Sequence, residues 1–272
     1  MLWARRRLGR VLWKRGLVWG WLSCSLCGCG WMFLWGCRHP GMGLRGHRQA
    51  RLETDLGIKA LASKQWGRAE QHFTNALRTD GRYALAHERL GWIALMRGRL
   101  KNAERAFRRA VKYEPELVAA WVNLGLSLRA QKVYDRSIRV FRHALSLSPG
   151  HFAARVYLTQ TYRRVQAWSA AQQESFALVA RFPERAESHA ELGTTYFLRQ
   201  YSTKAMSALH RARQLNPDIF DVHRMLALLY LKKKQYTRAQ EAVRKMLELR
   251  ADDPEARALK GLVQKASGGV VG

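Results

Sequence analysis

Acidic residues are scarce in this 272-residue chain: 20 Asp and Glu stand against 48 Lys and Arg, a formal net charge of +28. Residues 1–49 contain no acid at all, against nine Lys and Arg. The remainder carries 39 basic and 20 acidic residues. A surplus of this sign favours anionic partners, whether acidic protein segments, nucleic acid or anionic lipid. Cysteine is absent from residue 38 onward. That removes disulfides and thiolate metal sites from most of the chain, and it leaves the redox compartment of that part unread. No Gly-rich phosphate loop, HExxH or GxSxG occurs. The phosphate-loop, zinc-protease and serine-hydrolase chemistries therefore lack their anchors. Seven His residues between 72 and 223 are scattered, and the Asp252-Asp253 pair reads as a helix start. The expectation is a chain that is not an enzyme and that carries no cofactor and no metal.

One absence is local. Residues 16–36 contain no charge, while Arg5, Arg6, Arg7, Arg10, Lys14 and Arg15 precede them. Six of the ten Trp and all four Cys (Cys24, Cys27, Cys29 and Cys37) lie in this amino-terminal part. A basic flank followed by an apolar run reads as an export signal or a membrane anchor, and a run near 20 residues can span a bilayer. The excess of basic residues ahead of the run places the amino terminus in the cytoplasm. The rest of the chain would then sit on the non-cytoplasmic side. Leu34-Trp35-Gly36-Cys37 resembles a bacterial lipobox, which would make Cys37 the lipidated residue; Trp35 departs from the usual pattern. Two alternatives stand beside lipidation: an uncleaved anchor helix, or a true start at Met42 with a cytoplasmic protein behind it. The four Cys lie in an apolar run without a polar turn to present ligands, which argues against a metal site there.

From Ala50 to Asp253 the chain repeats every 34 residues. Pro115, Pro149, Pro183 and Pro217 keep this spacing, with Gly81 one copy earlier. Leu56-Gly57, Leu90-Gly91, Leu124-Gly125 and Leu192-Gly193 recur in phase, with Leu158-Thr159 and Leu226-Ala227 in the other copies. Ala69, Ala103, Ala171, Ala205 and Ala239 share one position, and Phe73, Phe107 and Phe141 another. Within a copy, Trp121, Leu124 and Leu128, then Ile138, Phe141 and Ala144, fall at helical spacings. Each unit is thus a helix pair whose small residues allow close approach. No pair can bury its own apolar stripe, so the units stack around a shared core. The units are 50–83, 84–117, 118–151, 152–185, 186–219 and 220–253. A closing helix over Glu255–Ala266 caps the stack, and Ser267–Gly272 forms a tail.

Trp121-Val122-Asn123-Leu124-Gly125, followed by Phe141, Ala144 and Pro149, resembles the tetratricopeptide repeat. Departures are local: Leu128 stands where Tyr162, Tyr196 and Tyr230 appear in later copies, Ser137 replaces a small Ala, and the fourth copy carries Thr159, Ser175 and Leu178. The resemblance implies an all-α, right-handed superhelical solenoid that binds a protein or an extended peptide and acts as a scaffold or adaptor. Six repeats behind a lipobox are also similar to the small outer-membrane lipoproteins that assist type IV pilus secretin assembly.

In similar repeats, six positions of the first helix face a concave groove. Carried onto this chain, they give Glu88, Trp92, Asn123, Leu126, Arg129, Tyr157, Gln160, Arg163 and Arg164, then Glu187, Glu191, Phe197, Arg224, Met225 and Lys232. Arg paired with aromatics suits a peptide of acidic character, because Arg forks bind carboxylates and aromatics anchor apolar side chains. Some relatives clamp a chaperone's terminal carboxylate with Lys, Asn and Arg. Here Glu88, Trp92, Ala153 and Tyr157 occupy four of those positions beside Asn123, so that specialisation is not expected. The basic residues are spread over every repeat, which argues against specific nucleic-acid recognition.

Overall fold

The computed structural model describes residues 40–268. Among these residues there are thirteen helices and no strand. They form pairs: α1 (Pro40–Ala62) with α2 (Trp66–Thr79), α3 (Ala84–Met96) with α4 (Leu100–Tyr113), and α5 (Val118–Ala130) with α6 (Tyr134–Leu147). Three more pairs follow: α7 (Phe152–Arg164) with α8 (Trp168–Arg181), α9 (Ala186–Leu198) with α10 (Ser202–Leu215), and α11 (Phe220–Lys232) with α12 (Tyr236–Leu249). A single helix, α13 (Pro254–Gly268), closes the stack. The chain is an all-α repeat solenoid with a carboxy-terminal helix.

Two ends differ from the sequence expectation. Helix α1 begins at Pro40 and runs across the boundary placed between residues 49 and 50. Helix α13 begins at Pro254 and includes Ser267 and Gly268, which the sequence assigns to the tail. Proline suits the first turn of α13, where its missing N–H leaves no hydrogen bond unmade. The export signal, the anchor and Cys37 lie outside the described residues.

The direction of curvature follows from which helices touch. First helices of neighbouring pairs meet: α3 with α5, α5 with α7, α7 with α9, and α9 with α11. Second helices of neighbouring pairs make no such contact. First helices therefore line the inner, concave side, and second helices splay on the outer side.

Each pair locks through a size match. A Cβ built on Gly57, Gly91 or Gly125 would fall 2.5–2.7 Å from the ring of Phe73, Phe107 or Phe141, and all three rings are fully buried. At Gly193 the filling side chain is Leu209. Where the small position grows, the residue in register with its partner shrinks: Thr159 corresponds to Ser175, and Ala227 to Val243. This compensation explains the weak fourth copy, since a Phe at 175 would have no room opposite Thr159. The fourth copy uses polar contacts instead. Ser175 Oγ donates to the Ala171 carbonyl and lies 3.0 Å from Thr195 Oγ1. Of the helical stripe in the third copy, Leu124, Leu128, Phe141 and Ala144 are buried, and Trp121 and Ile138 are half-buried.

The turns repeat as faithfully as the helices. Lys64, Gly98, Lys132, Gln166, Gln200 and Lys234 lie 34 residues apart and all have φ between 57° and 70°. Only Gly98 takes this left-handed geometry without the steric penalty of a Cβ. Between pairs, a second regular contact joins the chain. The fourth residue of a unit donates to the carbonyl six residues earlier: His87 Nε2 to Gly81 at 3.0 Å, Trp121 Nε1 to Pro115 at 2.7 Å, and His223 Nε2 to Pro217 at 2.6 Å. Arg155 and His189 do the same to Pro149 and Pro183. The in-phase histidines are thus turn fasteners. Burial pulls the pKa of His87 and His223 down, partly offset by these carbonyl contacts.

Candidate functional site

The concave side is crossed by a ladder of polar contacts from one repeat to the next. Asn123 Nδ2 donates to Glu88 Oε1 at 2.6 Å. Arg129 Nη1 donates to Gln160 Oε1 at 2.8 Å, and Gln160 Nε2 donates to Glu191 Oε1 at 2.8 Å. Arg163 Nη2 forms an ion pair with Glu191 Oε2 at 2.6 Å, while its Nη1 donates to the Glu191 carbonyl at 3.1 Å. Arg224 reaches Asp221 at 2.9 Å and Glu255 at 3.3 Å. Lys232 donates to Gln200 at 2.6 Å.

The ladder divides the residues expected in the groove. Glu88 is only 2% exposed, so it lies beneath the surface between α3 and α5 and not on a peptide path. Burial raises its carboxyl pKa, and the nearby Arg89 and Asn123 oppose that rise. Arg89 Nε lies 3.3 Å away. Trp92 stacks on Trp66 with centroids 5.5 Å apart, and Phe197 packs against the core of the last pairs. Arg163 and Arg224 are held by carboxylates of the protein itself.

An overlapping subset, which shares Arg163, lines an open hollow of about 770 Å³ on the concave side. Arg129, Gln160, Arg163, Arg164, Leu126 and Met225 meet there. Arg129 is half-buried over the Tyr157 ring at 5.1 Å, and burial pulls its pKa below the usual value. Arg164 is exposed and has no carboxylate partner among the described residues. The hollow also takes in Lys132, Tyr134, Gln166, Trp168, Thr194 and Leu198. Most of these come from the turn and from the start of the second helix, outside the first-helix positions used for the expectation. A periodic signal marks some of them: Trp66, Tyr134, Trp168 and Tyr236 share the seventeenth position of their units. No Asp or Glu lines the hollow. Its chemistry is cationic and aromatic, with a single buried counter-charge at Glu191 behind Arg163. Among the described residues, no group of three or more His, Cys, Asp or Glu is placed to hold a metal, and no helix is long and apolar enough to cross a membrane.

Comparison with known proteins agrees with this architecture. Models described as "tetratricopeptide repeat" match residues 54–110, 97–152 and 203–263, together more than half of the chain. A search of curated protein sequences gives no match. Solved structures do match. MamA from Desulfovibrio magneticus RS-1 is 25% identical, with a TM-score of 0.54 over 62% of this chain and 97% of that one. PilW, a type IV pilus biogenesis factor, is 16% identical, with a TM-score of 0.70 over 77% and 97%. YrrB, described as having an unusual peptide-binding site, is 16% identical, with a TM-score of 0.51 over 70% and 97%. With the motif present in copy after copy, the helix pairs stacked in order and these matches in hand, the chain belongs to the tetratricopeptide-repeat family of protein-interaction scaffolds.

Proposed function

We propose that this scaffold is non-enzymatic and holds an extended, acidic segment of a partner protein in the concave hollow between α5 and α11. The supporting observation is the composition of that hollow: Arg129, Lys132, Arg163 and Arg164 with Tyr134 and Trp168, and no carboxylate among its lining residues. Arg164 and Lys132 are the exposed cations, so they are free to meet partner carboxylates. Arg129 and Gln160, tied to each other, set the floor. The test is fluorescence anisotropy with a labelled decapeptide of Asp, Glu and Phe. Arg164→Glu with Lys132→Glu weakens binding by about tenfold or more, as expected when charges facing a ligand are reversed. Binding unchanged in this variant would remove the hollow as the site.

The same reading places the scaffold at a bacterial membrane, where it assists assembly of an envelope complex. Its support is sequence: the uncharged run over residues 16–36, the basic start and Leu34-Trp35-Gly36-Cys37. The fold shared with PilW agrees with such a setting. Metabolic labelling with a fatty-acid probe tests it. Label is incorporated by the full chain and lost in Cys37→Ser; a wild-type protein without label would end the lipoprotein reading. Membrane fractionation of the same cells then separates an anchor helix from a soluble adaptor starting at Met42.

A further inference from the structure

The outer side of the solenoid carries its charge differently from the inner side. On the concave face, Arg163 and Arg224 are paired with carboxylates of neighbouring repeats, Glu191 and Glu255, while Arg164 and Lys132 stand exposed in the hollow. On α4 and α6, eight exposed Lys and Arg stand with only Glu104 and Asp135 for company. Among the described residues, Arg108 alone of the eight has a carboxylate partner, Glu104 at 2.8 Å. The concentration is not a property of every repeat. Arg105 and Arg108 on α4 recur in register as Arg139 and Arg142 on α6, but the same two positions hold Gln71 and Thr74 on α2, and Gln173 and Phe176 on α8. Six of the eight are Arg, whose planar fork suits oxyanions better than a Lys point charge does.

Beside this field lies a second hollow, about 240 Å³, between the outer helices α2 and α4. Leu90 on α3, Leu77 on α2 and Ala106 on α4 give it an apolar floor, with His87 and Asn102 completing the lining. Arg105 and Arg109 form its rim. One repeat on, Trp121 stands where His87 does, and its ring meets His143 edge-on at 4.3 Å, occupying the equivalent space. The next groove, between α4 and α6, is filled by this Trp121–His143 pair.

We propose that the outer face of α2, α4 and α6 is a second docking surface, independent of the concave site, for an acidic protein segment that also presents an apolar side chain. Carboxylates of the segment meet Arg105, Arg109 and their neighbours, and one Leu-sized side chain enters between Leu77 and Leu90. The apolar floor decides against a phosphate backbone, which has no group to place there. Single-stranded nucleic acid also needs exposed aromatic platforms, and Tyr113, the large exposed aromatic of α4, is already stacked on His87 at 5.6 Å.

The experiment uses the full chain carrying Arg164→Glu and Lys132→Glu, so that loss of the concave site cannot be mistaken for loss of this one. Three probes are titrated by anisotropy: a labelled Glu/Leu dodecapeptide, its Glu/Ser counterpart and a 20-nucleotide oligo-dT. The Glu/Leu peptide is expected to bind, to bind more tightly than the Glu/Ser peptide, and to lose about tenfold or more in Arg105→Glu/Arg109→Glu. A charge-matched reversal on α10, Lys204→Glu/Arg211→Glu, is expected to have less than half that logarithmic effect. Circular dichroism confirms that these exposed substitutions leave the helices intact. The proposal is overturned by no binding of the Glu/Leu peptide, by equal losses in the two reversals, or by equal affinity for the two peptides. Tighter, Arg105-dependent binding of oligo-dT would replace it with a nucleic-acid surface.

Discussion

Gly125→Ala destabilises the solenoid by about 1–3 kcal/mol, the usual cost of forcing extra volume into a packed core. The added Cβ would fall 2.5 Å from Cε1 of Phe141, a ring with no exposed surface and no space to retreat into. Gly67→Ala is the control with the opposite sign. Nothing lies within 4 Å of its Cβ position, and it sits in the first turn of α2, so the substitution gains about 0.5 kcal/mol, less than the full helix-interior difference. The chain itself contains the compensation. Leu209 faces Gly193, and Val243 corresponds in register to Ala227. Phe141→Val should therefore recover part of what Gly125→Ala loses, and the double variant should be more stable than the sum of the singles. Urea midpoints of the four proteins form the cycle. A Gly125→Ala protein as stable as the wild type would show that the ring can shift, and the size match would lose its meaning.

Glu191→Ala costs about 3–5 kcal/mol, the range for leaving a buried charge without its partner. The side chains of Arg163 and Glu191 are only 12% and 13% exposed and lie 2.6 Å apart. Glu191 also accepts from Gln160, so its removal breaks the ladder that reaches back to Arg129. Replacing both charges, as Arg163→Met with Glu191→Leu, returns much of the loss because neither ion is then stranded. Arg164→Ala, one residue along and exposed, leaves stability within about 0.5 kcal/mol. The contrast separates two adjacent arginines that the helical face alone treats as equals. Denaturant unfolding measures it, and a neutral Glu191→Ala would mean that Arg163 is free to bind a partner after all.

These two cases show where sequence reading succeeds and where it stops. The Leu-Gly pairs, the in-phase Ala and Phe and the spaced prolines announced helix pairs stacked around one core, because each residue type answers a steric demand that recurs with the unit. The groove was harder to read. First-helix positions named Arg129, Gln160, Arg163 and Arg164, and the hollow gathers all four. They also named Glu88, which the protein buries against Asn123, and they passed over Trp168 and Lys132, which approach from the neighbouring turn and second helix. Period tells which face a side chain occupies. It does not tell which atom from the next repeat has already claimed it.

Periodicity alone was enough for the fold class, the order of the helices and the family. Helix-pair packing is local, and the same contact is written six times, as Gly with Phe in three copies and as a compensating pair in the others. The concave direction, the pairing of Arg163 with Glu191 beside an unpaired Arg164, and the two hollows came only from the three-dimensional arrangement. Each depends on residues about 30 positions apart meeting across a repeat boundary. At those boundaries the side chains differ from copy to copy, so no repeating signal carries them.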